Sequence, residues 1–194
     1  IVDKILDMRR YLSLMESNFA AELGNAYRAL ENQGNPWGMN QGERADWAKG
    51  LDVDIVDPGS PFEAEYLYWV GCAGSFDDKN KKVTQAMAKL LKRAGISVAI
   101  LGPSENCTGD SARRSGNEYL FQMLAMPNIE MLNGMGVRKI ITQCPHCFNT
   151  LMNEYPQLGG NYEVVHHSQF LEWLIDQGKL DLTDAKLEER IVYH

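Results

Sequence analysis

Apolar positions along the chain follow two different rhythms, and the change between them divides it. Up to about residue 50 the spacing is helical. Ile5, Met8, Leu12 and Met15 recur every three or four positions, and Leu23, Ala26, Tyr27 and Leu30 do the same between Phe19 and Asn32. Gly34 predicts the end of the second helix, Asn35-Pro36-Trp37-Gly38 a turn, and Glu43 to Lys49 one more short helix. Trp37 and Trp47 read as packing anchors ahead of interface residues, because large aromatics are mostly buried. Asp57-Pro58-Gly59-Ser60-Pro61 then interrupts helix and strand alike and predicts a boundary. The expected organisation is a helical segment and linker over 1–60 and a second domain over 61–194.

Beyond the boundary, short apolar runs alternate with helical stretches. Strands are predicted at Tyr66–Val70, Ile96–Leu101, Lys139–Thr142 and Tyr162–Val165, with a fifth at Arg190–His194. Between them, helices are expected from about Asp78 to Ala94, as a long helical region that follows Cys107-Thr108-Gly109-Asp110 and ends near Gly134-Met135-Gly136, over Phe148–Tyr155, and over Gln169–Gln177 with Ser168 as its N-cap. Regular alternation of this kind predicts an α/β fold: a largely parallel sheet flanked by helices, preceded by the helical segment.

Composition narrows the partners. A net charge of -7 disfavours nucleic acid, whose phosphates would be repelled. No run approaches the roughly eighteen apolar residues of a spanning helix, so no transmembrane segment is expected. The start Ile-Val-Asp-Lys-Ile-Leu-Asp has no signal-peptide core. Four cysteines without a secretory signal point to metal or redox chemistry in a reducing, cytoplasmic compartment rather than to a disulfide framework.

Those cysteines carry the main inference. Cys72 follows the first predicted strand, Cys107 the second, and Cys144 and Cys147 the third, while His166 and His167 follow the fourth. In an open parallel sheet the loops at the carboxyl ends of the strands converge, so four thiols would meet at one edge. Four thiolates suit an iron–sulfur cluster or a tetrahedral zinc ion, and their spread over three loops favours the cluster. Gly71, Gly74 and Gly109 would allow close backbone approach to a bulky ligand. Thr108, Arg113, Arg114, His166 and His167 are candidates for the shell behind the thiols, the arginines offsetting negative charge near Cys107.

Other chemistries remain open at this point. Cys144-Pro-His-Cys147 also suits a thiol–disulfide oxidoreductase, although no proline after the third strand supplies the loop that such folds require. A zinc-bound structural or docking domain is a further alternative, and buried inert thiols are the plainest one. Phe148 stands where c-type haem attachment needs His, and Gly71-Cys-Ala-Gly-Ser75 matches neither common phosphate-binding fingerprint.

The order Cys72, then Cys107-Thr-Gly109, then Cys144-Pro-His-Cys147 resembles the cysteine-rich CCG domain typified by heterodisulfide reductase, with related copies in iron–sulfur subunits of glycolate, lactate and glycerol-3-phosphate oxidoreductases. Glu105-Asn-Cys-Thr-Gly-Asp-Ser-Ala-Arg-Arg-Ser-Gly-Asn-Glu-Tyr-Leu-Phe-Gln122 and Val165-His-His-Ser168 are similar to membrane-associated iron–sulfur oxidoreductases that pass electrons from electron-transfer flavoprotein to menaquinone. The likeness covers roughly 66–175. It implies a ferredoxin-like module before this segment, a second CCG repeat after it, and a location at the inner face of the membrane, so that the chain is expected to be a fragment. The family's full motif has adjacent cysteines and five thiolates on an unusual fused cluster. Thr108 replaces the second of that pair, and the four remaining thiolates imply a cubane [4Fe-4S] cluster that relays electrons from a flavoprotein toward quinone.

Overall fold

The computed structural model describes residues 2–183. Five parallel strands lie in the order β1-β3-β2-β4-β5: β1 Asp54–Ile55, β2 Tyr66–Trp69, β3 Val98–Ile100, β4 Lys139–Thr142 and β5 Glu163–His166. This is the α/β architecture with a parallel sheet that the alternation predicted. Four of the strands fall within the predicted runs or one residue beyond them. The remaining predicted strand, Arg190–His194, lies outside the described residues.

β1 has no counterpart among the predicted strands. It is two residues long, both exposed, and comes from the segment before the Asp57–Pro61 turn. Its pairing with β3 (Asp54 to Ala99, Ile55 to Ile100) supplies what local pattern could not.

Both faces of the sheet are covered, which explains why its strands are apolar without alternation. On one face Leu67, Trp69 and Ile140 pack against Tyr27 and Leu30 of α2 (Ala21–Gln33). The same face carries Leu120, Phe121, Leu124 and Leu132 of the long helix Glu118–Met135. On the other face Tyr66, Tyr68, Val70 and Ile141 meet Met87 and Leu91 of the helix Asp78–Arg93, Phe170 and Leu174 of the helix His167–Asp176, and Trp47. Each fully buried Leu or Ile stabilises the fold by roughly 1.5–3 kcal/mol through removal of its side chain from water.

Along the chain the α-helices are α1 (Val2–Arg10), α2, α3 (Gly71–Phe76), α4 (Asp78–Arg93), α5 (Asp110–Arg114), α6 (Glu118–Met135), α7 (Pro145–Asn149) and α8 (His167–Asp176). Their limits have local causes. Asp77 caps α4 by accepting from the amides of Lys79 and Asn80, a cap worth about 1 kcal/mol. α8 begins two residues before the predicted start at Gln169, because His166 at the end of β5, and not Ser168, is its N-cap. The predicted helix Phe148–Tyr155 is instead the end of α7, a π-turn Thr150–Glu154 and the start of a 3-10 turn, Tyr155–Leu158. α1 buries no residue and is tied down by polar contacts, Arg9 to the carbonyl of Arg114 and Arg10 to Glu118.

The strand order places the site. From β2 the chain moves outward to β3, then returns across the sheet to β4 on the other side of β2. The loops leaving β2 and β4 therefore diverge at a switch point, where an open parallel sheet leaves a crevice.

Candidate four-thiol site

All four cysteines reach that crevice. Cys72 lies in the first turn of α3, directly after β2, and Cys144 is the N-cap of α7, directly after β4, with Cys147 inside the helix. Cys107 sits in the loop from β3 to α5. The four thiols are free and line one cavity of about 370 Å³ together with Pro36, Trp37, Thr108, Asp110, Arg114 and His146. Cys72, Cys107 and Cys147 are buried and Cys144 is partly exposed.

The thiols form two pairs. The neighbouring Cys107 thiol lowers the pKa of Cys72, and Cys72 raises that of Cys107 well above the ordinary thiol value; burial adds to the rise. Cys147 does the same for Cys144. The Cys147 thiol, with the amides of Cys147 and His146, brings Cys144 down to about 6, while Cys147 is held well above its ordinary value. Cys144 is thus ready to be a thiolate, the ligand form for soft metals, and Cys72 is shifted in the same direction.

The loops are held from several sides. The amide of Cys107 donates to the carbonyl of Gly34 at 2.8 Å. Asn128 of α6 donates to the carbonyl of Cys107 at 3.1 Å, and the buried Tyr155 hydroxyl donates to the carbonyl of Thr108 at 3.2 Å. Gly109 donates its amide to the Cys107 sulfur at 3.4 Å, and the Thr108 hydroxyl to the Cys147 sulfur at 3.8 Å.

Of the three glycines expected to admit a ligand, one faces the thiols. Gly71 has φ +76, and a Cβ there would stand 3.2 Å from the Cys147 sulfur. A Cβ on Gly74 would strike Thr84 of α4, and one on Gly109 would strike Phe121 of α6, so these two serve helix packing instead.

The expected shell residues separate in the same way. Thr108 and Arg114 line the cavity. Arg114 is paired with Glu154 and Asp110. Arg113 is turned aside: it lies over the Phe121 ring and bonds to Gln157, Glu118 and Glu154. His166 is one step back, its Nε2 donating to the carbonyl of Gln143 at 3.1 Å, just before Cys144. Since a carbonyl only accepts, Nδ1 of the neutral ring is the acceptor for the Ser168 hydroxyl. His167 stacks edge-on against His166, and burial lowers its pKa, with His166 adding to the effect.

Two charged residues at the site carried no clear sequence signal. Arg44 and Glu105 are both about 1% exposed and form an ion pair at 2.8 Å. Glu105 also accepts from the amides of Val70 and Gly71, and Arg44 reaches the Cys72 sulfur at 3.5 Å. Glu105 offered a faint signal, a carboxylate two residues before Cys107 at a strand exit. Arg44 offered none, since it lies in a polar turn 61 residues from its partner. The two tryptophans of that region divide: Trp47 is core at 2% exposed, whereas Trp37 is 56% exposed at the cavity mouth.

The sequence profile of the CCG cysteine-rich domain matches residues 66–152, the span that holds all four thiols. The chain carries a CCG cysteine-rich domain. Over its whole length it is 44% identical to "EtfAB:quinone oxidoreductase" of Syntrophomonas wolfei and 44% identical to "Probable iron-sulfur-binding oxidoreductase FadF" of Bacillus subtilis. Over 82% of its length it is 30% identical to a subunit of the dihydromethanophenazine:CoB--CoM heterodisulfide reductase of Methanosarcina acetivorans. It spans 27%, 28% and 38% of those proteins, respectively. The CCG domain here is thus homologous to part of larger iron–sulfur oxidoreductases. No solved structure matches the chain significantly. Among the described residues no helix is long and apolar enough to cross a membrane.

The donor set of this CCG domain fits a soft, thiophilic group. Among the described residues, no three Cys, His, Asp or Glu side chains stand close enough to share one metal ion. A single ion needs every sulfur at about 2.3 Å, whereas a cluster is held by thiols further apart.

Proposed function

We propose that this chain is the electron-relay domain of a larger oxidoreductase, holding a [4Fe-4S] cluster on Cys72, Cys107, Cys144 and Cys147. The observation that carries the reading is the meeting of four free thiols from three loops around one cavity at the switch point of the sheet. The names of the relatives support an iron–sulfur cofactor and, in one case, an EtfAB flavoprotein donor with a quinone acceptor. Thr108 supports the four-thiol count, because a hydroxyl donating to Cys147 stands where the family motif has its additional cysteine.

Such a group, when bound, takes up and returns one electron without making or breaking bonds to substrate. The residues of the chain do the rest. Cys144 supplies a ready thiolate, and the Gly34, Asn128 and Tyr155 contacts keep the Cys107 loop fixed. The amides at the start of α7 oppose the negative charge of Cys144. In this reading electrons pass singly from a reduced flavoprotein toward a quinone, and two passages with two protons complete a quinol.

Iron and acid-labile sulfide analysis of the anaerobically purified protein, with EPR, tests the proposal. Four irons and four sulfides assigned to this site, with the signal lost in Cys107→Ser, is the expected result. Zinc alone, or four metal-free thiols that catalyse dithiol oxidation through Cys144 and Cys147, would overturn it.

A further inference from the structure

Arg44 is a cation buried for a reason that its ion pair does not supply. Both members of the pair are almost inaccessible, with side chains 1% and 2% exposed. A guanidinium that served Glu105 alone would be expected to meet both carboxylate oxygens side by side. Here one nitrogen, Nη2, makes both contacts, to Glu105 Oε1 at 2.8 Å and to the Cys72 sulfur at 3.5 Å. Glu105 Oε2 is taken by the amide of Val70, and Oε1 also accepts from Gly71. Nε and Nη1 of Arg44 are buried without a hydrogen-bond partner. The Phe76 ring lies 5.6 Å from the guanidinium carbon and offers only its face.

A buried cation with two donors unsatisfied is costly, and such groups in native structures call for an explanation. The explanation available here is electrostatic. Arg44 is the one arginine or lysine among the described residues that hydrogen-bonds to a site sulfur. Arg113 and Arg114 are neutralised by Glu118, Glu154 and Asp110. Behind Arg44, Glu105 offsets part of the charge and fixes its position. In a buried setting of low dielectric a charge at this range acts strongly on its surroundings.

We infer that Arg44, held by Glu105, is a positioning residue that sets the reduction potential of the four-thiol site by opposing the negative charge each electron adds. The inference rests on the electron-relay reading above. One electron from the reduced flavoprotein adds one unit of negative charge beside Cys72 and leaves again to the acceptor, with no bond altered. Arg44 stabilises the reduced state more than the oxidised one. Glu105 has the opposite sign, and its carboxylate is engaged by Arg44 and by the amides of Val70 and Gly71 rather than by a site sulfur.

The test is a redox titration of the intact protein, monitored by EPR and following the signal lost in Cys107→Ser. Arg44→Gln is expected to lower the midpoint by at least a tenfold change in the ratio of reduced to oxidised site at a given potential, about 59 mV for one electron. Arg44→Lys keeps the charge and should fall between. Glu105→Gln should raise the midpoint. Opposite shifts from two members of one ion pair are a signature that a merely structural role would not produce.

If either single variant fails to fold by circular dichroism, Arg44→Gln with Glu105→Gln removes both charges together. A midpoint below wild type in that double variant supports the inference, and one equal to wild type overturns it. Iron and sulfide present at the site, with a midpoint indifferent to both residues, also overturns it and leaves the relay reading standing. A wild-type site without iron and sulfide overturns both.

Discussion

The two thiol pairs are alike in composition and unlike in construction. Cys144 and Cys147 belong to one turn of chain positioned by the start of α7; Cys147 is buried, and Cys144 is partly exposed at the cavity beside the exposed His146. Cys72 and Cys107 come from different loops and are buried. Their surroundings come from distant sequence: Arg44 from a turn in the first 50 residues, Gly34 from the end of α2, Asn128 from α6. The outer pair is a local motif, and the inner pair is a product of the fold. A group held by both would therefore have one accessible side and one side whose charge is set by the protein.

The strongest way to break this comparison is to remove one thiol from each pair. Cys107→Ser should abolish iron retention, because the position is buried and poorly open to a replacement thiol. Cys144→Ser should retain a fraction that added thiol increases, since that corner is open. Equal losses, by metal analysis with and without thiol, would show that accessibility does not separate the pairs.

Glu105→Ala comes next in size. It strands the Arg44 cation and the amides of Val70 and Gly71, and should cost about 3–5 kcal/mol in urea unfolding. An ordinary surface value, under about 0.5 kcal/mol, would mean that the inner pair does not depend on the ion pair.

In metal-free protein, alkylation followed by mass spectrometry should modify Cys144 first, at a rate that rises through about pH 6 and levels off above it. The sign follows from the pKa lying below the ordinary thiol value of 9.0: the thiolate persists at neutral pH and is lost as pH falls through about 6. Cys107 and Cys147 should remain unmodified until the fold opens, and early labelling of either would break the distinction between closed and open sides.

The smallest expected effect is at Thr108. Thr108→Val removes one donor to Cys147 and should cost about 1 kcal/mol while leaving iron content unchanged. A loss of iron would make the hydroxyl part of the binding set.

The same contrast explains what the sequence made visible. β2 to β5 and the helices Asp78–Arg93 and His167–Asp176 were legible because strands buried on both faces are continuous apolar runs and these helices carry apolar stripes, whereas α3 and the turns after α7 were not. The outer pair was legible as a spaced motif, and Cys72 and Cys107 through their places after strands. β1 was not, since two exposed residues carry no pattern and form a strand only by pairing with Ala99 and Ile100. Gly74 and Gly109 were misread because only tertiary packing tells a glycine facing a ligand from one facing a helix. Arg44 escaped for a related reason: its role exists only across 61 residues of chain, through Glu105.

The 66–152 match and the physical unit around the thiols do not have the same limits. A piece cut to the matched residues and grafted into another scaffold would bring four sulfurs with it. It would leave behind the carbonyl of Gly34, the indole of Trp37 and the guanidinium of Arg44, and it would bury Glu105 without a counter-ion. What travels as a motif in sequence would arrive as an electrically incomplete object, so any transplant of this site has to begin upstream of residue 34.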